Sequence, residues 1–210
     1  MHFRDLPRCS PRSLAIRRRS SRVWRRAICL AGILTACLYL PYRLAAQKNK
    51  PQEYEVKATY LYNFGRFVEW PASGNTSDKF AICVLGQDPF GSYLDAVVAG
   101  EAINNRKLIA RRVATARDAI PCQILFISDS ESAHLKEILA ALEKTTVLTV
   151  SDVPNFTVVG GMIQFVVVDQ RVRFSVNLTA AGKAGLALSS QLLKVAVEVR
   201  GEASKVNGPQ

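Results

Sequence analysis

Past residue 50 the chain carries one histidine, His134, and two cysteines, Cys83 and Cys122, so the side chains that build metal centres and nucleophilic catalysts are scarce. One histidine and two widely separated cysteines do not complete a tetrahedral zinc site without a further ligand. His134 falls near the start of a helical segment and reads as a surface residue. Gly182-Lys183 has the form of the end of a phosphate-binding loop, but Asn177 stands where that motif needs its first glycine, so the backbone nest is missing. No G-x-G-x-x-G follows a strand, and Gly160-Gly161 reads as a tight turn. Two carboxylates remain for acid–base work, Asp129 and Asp152, each just after an apolar strand run. In a parallel sheet both lie at the carboxyl edge, where open α/β folds bind ligands. Capping is the plainer role for them, because Asp129-Ser130-Glu131 precedes a helix and Ser151-Asp152 precedes a proline turn. The expectation is a protein with no catalytic residue, metal or cofactor.

The elements that position these residues follow from hydrophobic period. From Glu53 to Glu69, Val56, Tyr60, Leu61, Phe64, Phe67 and Val68 recur at helical spacing, with Lys57, Asn63, Arg66 and Glu69 off that stripe, and Trp70-Pro71 ends the helix. Phe80–Leu85, Gln123–Ile127 and Thr146–Val150 are short apolar runs of the kind buried on both faces of a parallel sheet. Between them, Asp88-Pro89 starts a helix over Phe90–Val98, Leu108–Val113 is a strand near a sheet edge, and His134–Leu142 is a helix capped by Ser128–Glu131. Met162–Val168 and Arg171–Asn177, separated by Asp169-Gln170, form a β-hairpin expected on the edge of the sheet. Ala180–Ala187 is read as helical, and Ser189–Val199 as a helix with Leu192, Leu193, Ala196 and Val197 on one face. The fold class expected is α/β: a single compact domain, mostly parallel sheet with crossover helices and a C-terminal antiparallel hairpin.

The formal net charge of +11 suggests a nucleic-acid binder until its position is examined. Residues 1–50 hold ten Arg, two Lys and one acid, whereas residues 51–210 hold sixteen Lys and Arg against sixteen Asp and Glu. The domain is formally neutral, which removes the electrostatic case for binding DNA or RNA. The basic end is a secretory leader: a basic run to Arg25-Arg26, an apolar stretch Ala27–Leu40, and Ala45-Ala46 before a polar segment. The apolar stretch is shorter than the roughly 20 residues of a membrane span. Division of the chain into a signal peptide (1–46), a linker (47–52), the domain (53–200) and a disordered tail (201–210) follows. Acylation of Cys37 as a lipoprotein, or an uncleaved anchor, are the alternatives to cleavage after Ala46. In an exported domain Cys83 and Cys122 are either a disulfide or two buried thiols.

Residues 55–71, EVKATYLYNFGRFVEWP, resemble the opening helix of the YfiR family, with its V-K-A-x-x-L-Y-N-F-x-K/R-F-x-x-W-P signature. ICVLGQDPFG (82–91), CQILFIS (122–128), VLTVSD (147–152), GGMIQF (160–165), RVRFSVNLTAA (171–181) and AGLALSSQLLKVA (184–196) follow in the family order, so the resemblance spans the whole domain. It implies a periplasmic regulator, usually dimeric, that represses an inner-membrane diguanylate cyclase by binding its periplasmic sensor region. In the best-known member envelope stress relieves that repression, and the cyclic di-GMP that results promotes biofilm. An input subunit of a sensor histidine kinase is the alternative within signalling. A periplasmic small-ligand-binding module, or a hydrolase using Asp129 or Asp152, are those outside it. The resemblance also implies a Cys83–Cys122 disulfide, while a second family pair has no counterpart here. Because apolar and aromatic anchors carry most interface energy, the expected partner contacts are Tyr60, Tyr62 and Phe67 on the opening helix with Arg171 and Arg173 on the hairpin. Core packing is the other role open to Tyr60 and Phe67, and a solvated strand face to the two arginines.

Overall fold

Strands buried on both faces need apolar residues at every position, and Phe80–Leu85 supplies them: each of its six residues is buried, and it lies inside the sheet. The computed structural model describes residues 52–71 and 77–201, which belong to one compact unit, Lys48–Gln210. The leader expected over 1–46, Cys37, the linker up to residue 51 and the tail from 202 onward lie outside the described residues.

In chain order the elements are α1 (residues 52–67), β1 (Val68–Glu69), β2 (Lys79–Leu85), α2 (Ser92–Val98), β3 (Ala102–Ile103), β4 (Arg106–Val113), β5 (Ile124–Ile127), α3 (Leu135–Leu142), β6 (Leu148–Ser151), β7 (Ile163–Val168), β8 (Arg171–Asn177), α4 (Leu178–Lys183), β9 (Ala187–Leu188), α5 (Ser190–Val195) and β10 (Glu198–Arg200). The large sheet has the order β10-β8-β7-β6-β5-β2-β4-β3. Its pairs are parallel except β7 with β8 and β3 with β4. The chain is therefore α/β, with a mostly parallel sheet and a C-terminal antiparallel hairpin.

Strand alternation divides the core in two. Phe80, Ile82 and Val84 of β2, with Ile124 and Phe126 of β5, face α1, where Ala58, Leu61 and Phe64 meet them. Ala81, Cys83 and Leu85 point the other way, toward Leu135, Ile138 and Leu142 of α3. Asp169 and Gln170 close the β7–β8 hairpin with φ of 50° and 59°, and this two-residue turn fixes the register that pairs Phe165 with Phe174. Both rings then stack into the α1 side of the core, 5.8 Å and 5.1 Å from Phe64.

Several boundaries differ from the sequence expectation, each for a local reason. The hairpin is not the sheet edge, because β10 adds alongside β8 in parallel. The helix expected over Ser189–Val199 stops at Val195, and the Val197 amide donates to the Phe174 carbonyl at 2.9 Å. Val195, Val197 and Val199 alternate at strand spacing, a signal that the helical face of Leu192, Leu193 and Ala196 masked. Asp88 does not cap α2 directly; its carboxylate accepts from the Phe90 amide at 2.8 Å, and the helix begins two residues later. Ser128–Glu131 does not cap the helix directly: Asp129–His134 is a 3-10 turn, and α3 begins after it at Leu135. The opening helix ends at Phe67, because Val68–Glu69 leaves it to pair antiparallel with Ala187–Leu188.

Candidate functional site

Two adjacent stripes run along α1. Lys57, Leu61 and Phe64 recur at i, i+4 and i+7, Val68 continues the register into β1, and all four are buried. Val56, Tyr60, Asn63 and Phe67 form the next stripe at the same spacing, and none of them is fully buried. The first stripe packs on the sheet. The second lines concave surface between α1, the β7–β8 hairpin and α5.

The groove beside α5 has a volume of about 490 Å³ and is lined by Tyr60, Asn63, Phe67, Arg173, Gln191 and Val195 over a floor of Phe64, Phe174 and Leu192. Its neighbour, about 610 Å³, shares Tyr60 and Arg173 with it and adds Glu53, Val56, Val167 and Arg171. Tyr60 divides the two. Its ring lies 5.6 Å from Phe174 and 5.9 Å from Phe165, and its hydroxyl donates to the Val172 carbonyl at 3.4 Å. The side chain is thus half core and half wall. Large apolar side chains remain in the open nearby: Val56 is 41% exposed, Val167 57% and Val195 62%.

Four of the five expected contact residues meet here: Tyr60, Phe67, Arg171 and Arg173. Tyr62 does not. It lies on the opposite flank of α1, where its hydroxyl donates to Glu101 Oε2 at 2.9 Å, next to β3. The helix turns about 100° per residue, so two positions along from Tyr60 point to another neighbour.

Asp129 and Asp152 do stand together at the carboxyl edge of the sheet, after β5 and β6, and both line a third concavity of about 390 Å³. Asp152 is not a turn cap. Ser151 Oγ takes that role by accepting from the Val153 amide at 3.1 Å. Asp152 Oδ2 instead accepts from Lys57 Nζ at 2.6 Å and from the Tyr54 hydroxyl at 2.8 Å. Lys57 Nζ also meets Glu53 Oε1 at 2.6 Å and lies 4.3 Å from the Tyr54 ring centre. With its side chain only 3% exposed, the ammonium is compensated on two sides by carboxylates, as a charge so buried must be. The Tyr54 hydroxyl is pushed well above the usual phenol range, first by burial and then by the Asp152 carboxylate. It stays a donor throughout the physiological range. The network clamps the start of α1 to the end of β6.

Sequence reading placed Lys57 off the apolar stripe and so missed this network. The usable signal was its position four residues before Leu61 and seven before Phe64, in the register of the core. Of the other residues weighed for chemistry, His134 is 61% exposed and 3.7 Å from Glu131. Asn177 caps α4, its Oδ1 accepting from the Ala180 amide at 2.9 Å. Cys83 and Cys122 form a disulfide with a Cα–Cα distance of 6.1 Å, both buried on the α3 side of the sheet. Among the described residues no group of three or more His, Cys, Asp or Glu is placed to hold a metal ion.

Among solved structures, the chain is similar to a conserved domain protein from Vibrio cholerae O1 biovar El Tor strain N16961, at 10% identity and a TM-score of 0.45, over 57% of this chain and 54% of that one. It is also similar to an ABC domain in complex with L-Trp from Streptococcus pneumoniae, at 11% identity and a TM-score of 0.43, over 60% of this chain and 57% of that one. The chain thus spans little more than half the length of either. No functionally curated protein matches it. The profile of the YfiR/HmsC-like family, by contrast, matches residues 54–197, from the tyrosine that bonds Asp152 to the valine that enters β10. That match takes in α1, both core layers, the disulfide and the grooved face, and the chain belongs to the YfiR/HmsC-like family.

Proposed function

We propose that this protein is a regulatory binding protein of the periplasm that represses an inner-membrane diguanylate cyclase by contacting its periplasmic sensor region, acting as a homodimer and without catalysis. The observation that carries this reading is membership of the YfiR/HmsC-like family across the whole described domain. Two further features support it. A buried disulfide suits an oxidising compartment. Tyr60, Phe67 and Arg173 border a groove with an aromatic floor, and Arg171 lines the concavity that continues from it, which is the anatomy of an interface: apolar anchors at the centre and polar groups at the rim.

Deleting the gene is expected to raise cellular cyclic di-GMP and biofilm mass, and a second deletion removing the cyclase should cancel the rise. Unchanged cyclic di-GMP in the single deletion, with the cyclase expressed, would replace this reading by that of an input subunit for a sensor histidine kinase.

A further inference from the structure

The large sheet ends at β3 on one side and at β10 on the other. β3 is two residues long and its Ile103 is buried. β10 is different: Glu198, Val199 and Arg200 are all exposed, and the strand pairs on one side only, with β8. The Val197 amide donates to the Phe174 carbonyl. Backbone groups alternate in direction along a strand, so those of Val199 also turn to β8, while those of Glu198 and Arg200 turn away from the sheet. An edge with outward N–H and C=O groups is a template for a further strand. Proline and lysine, which commonly protect such edges, are absent from residues 195–200, where Val195, Val197 and Val199 are exposed.

β10 is also complementary to itself. Glu198 and Arg200 lie on one face of the strand on either side of Val199, with Arg200 Nε 2.8 Å from Glu198 Oε1. When two copies of β10 run antiparallel about a two-fold axis at Val199, Glu198 of each stands opposite Arg200 of the other. Both of these pairs are opposite in charge, and both bring outward backbone groups together, so each can exchange two hydrogen bonds. Moving the axis to Glu198 or to Arg200 sets like charges opposite each other, so the charges fix the register as well as the partner.

We infer that two copies of this chain join edge to edge through antiparallel β10 strands centred on Val199, which makes their two eight-stranded sheets continuous. The inference rests on the homodimer in the regulatory reading, to which it gives a surface and a symmetry, and it is tested apart from the regulation itself. A two-fold contact of this kind is closed, because each strand occupies the open edge of the other. The strand is short, so the interface is at the small end of the specific class and the dimer dissociates on dilution.

The test follows the sedimentation of the purified protein over a range of concentrations. The unaltered protein is expected to pass from monomer to dimer in the micromolar range. Glu198→Arg sets arginine against arginine and Arg200→Glu sets glutamate against glutamate, so each variant alone should dimerise about tenfold more weakly. Mixed in equal amounts, the two should form a heterodimer as strong as the unaltered dimer, because every cross-strand pair is then opposite in charge. A second measurement does not depend on charge. In the antiparallel pair Val199 and its counterpart are about 4.5 Å apart at Cα, within the span of a disulfide. Val199→Cys made in cells should therefore run as a covalent dimer on a non-reducing gel, whereas Val167→Cys, exposed on β7 away from this edge, should run as a monomer. A protein that stays monomeric at about 100 µM, a dimer that folded E198R and R200E leave unchanged, a mixture that gains nothing over its components, or equal cross-linking of the two cysteine variants would overturn the inference. Raised cyclic di-GMP in the deletion strain beside any of those results would reject this interface and keep the regulatory function. Unchanged cyclic di-GMP beside the heterodimer and the V199C cross-link would do the reverse.

Discussion

Lys57 is a buried charge that ties the start of α1 to the end of β6 through Asp152. Removing one member of a buried ion pair leaves the other charge uncompensated, at a cost of about 3–5 kcal/mol, whereas replacing both with apolar residues is often neutral. Asp152 keeps 13% of its side chain in solvent, so the lower part of that range applies. Lys57→Met is expected to cost about 3 kcal/mol in urea unfolding, and the K57M/D152L double variant should recover most of it. Additive losses would show that the two groups are not coupled. Tyr54 makes a separate prediction, because its folded pKa is raised above the unfolded value near 10.0, chiefly by burial. The folded state therefore favours the protonated hydroxyl. Its contribution is complete below the unfolded pKa and is lost as pH rises above it toward the folded value. Stability measured from about pH 9 to 11 should fall more steeply for the unaltered protein than for Tyr54→Phe. Parallel curves would mean that the hydroxyl ionises equally well in both states.

At the scale of elements, the disulfide ties β2 to the residue that leads into β5, its neighbour in the sheet. The cysteines are 39 residues apart, and the loop they close includes α2, β3 and β4. In the chain-entropy account such a loop contributes about 4 kcal/mol by restricting the unfolded chain. The C83A/C122A variant should lose stability of that order in denaturant, and thiol titration of the unreduced, denatured protein should find neither Cys83 nor Cys122 free. Two reactive thiols from these positions would exclude the bond. The connection after β2 is held differently: Arg112 of β4 donates to Asp88 at 2.8 Å, to Asp95 at 2.7 Å and to the Gly91 carbonyl at 2.8 Å. The guanidinium holds the Asp95 carboxyl below its ordinary range. This tie is present above the unfolded carboxylate pKa and is lost as pH falls through the lower folded value. It is exposed and screened by solvent, so its effect is small. On the far side of the sheet, Gly161 lies so close to the Phe156 ring that any side chain there would collide with it, which is why the turn before β7 needs its second glycine.

For the whole molecule, charge is distributed unevenly along the chain: residues 1–50 carry the basic excess and residues 51–210 balance. If the basic end is the secretory leader expected from that distribution, residues 1–60 fused to alkaline phosphatase should yield active enzyme, since the phosphatase needs an oxidising compartment. A stable but inactive fusion would place the domain in the cytoplasm. The class of fold was legible in the sequence because its signals are local: unbroken apolar runs mark buried strands, and helical period marks α1 and α3. The hairpin was legible from Met162–Val168 and the alternating segment Arg171–Asn177 on either side of Asp169-Gln170. Cys83 and Cys122 could be named, but residue type alone left open whether they were bonded. What sequence could not decide depends on register between distant elements. Lys57 and Asp152 are 95 positions apart, and although Lys57 shares the register of Leu61 and Phe64, only the packing of α1 across β6 gives it Asp152 as a partner. Tyr60 and Tyr62 look alike as anchors, yet the rotation of α1 on the sheet sends one to the groove beside α5 and the other to Glu101. The short β10 exists because β8 offers it an unpaired edge. Local period determines what an element is; which of its faces meets a partner is determined by the elements packed around it.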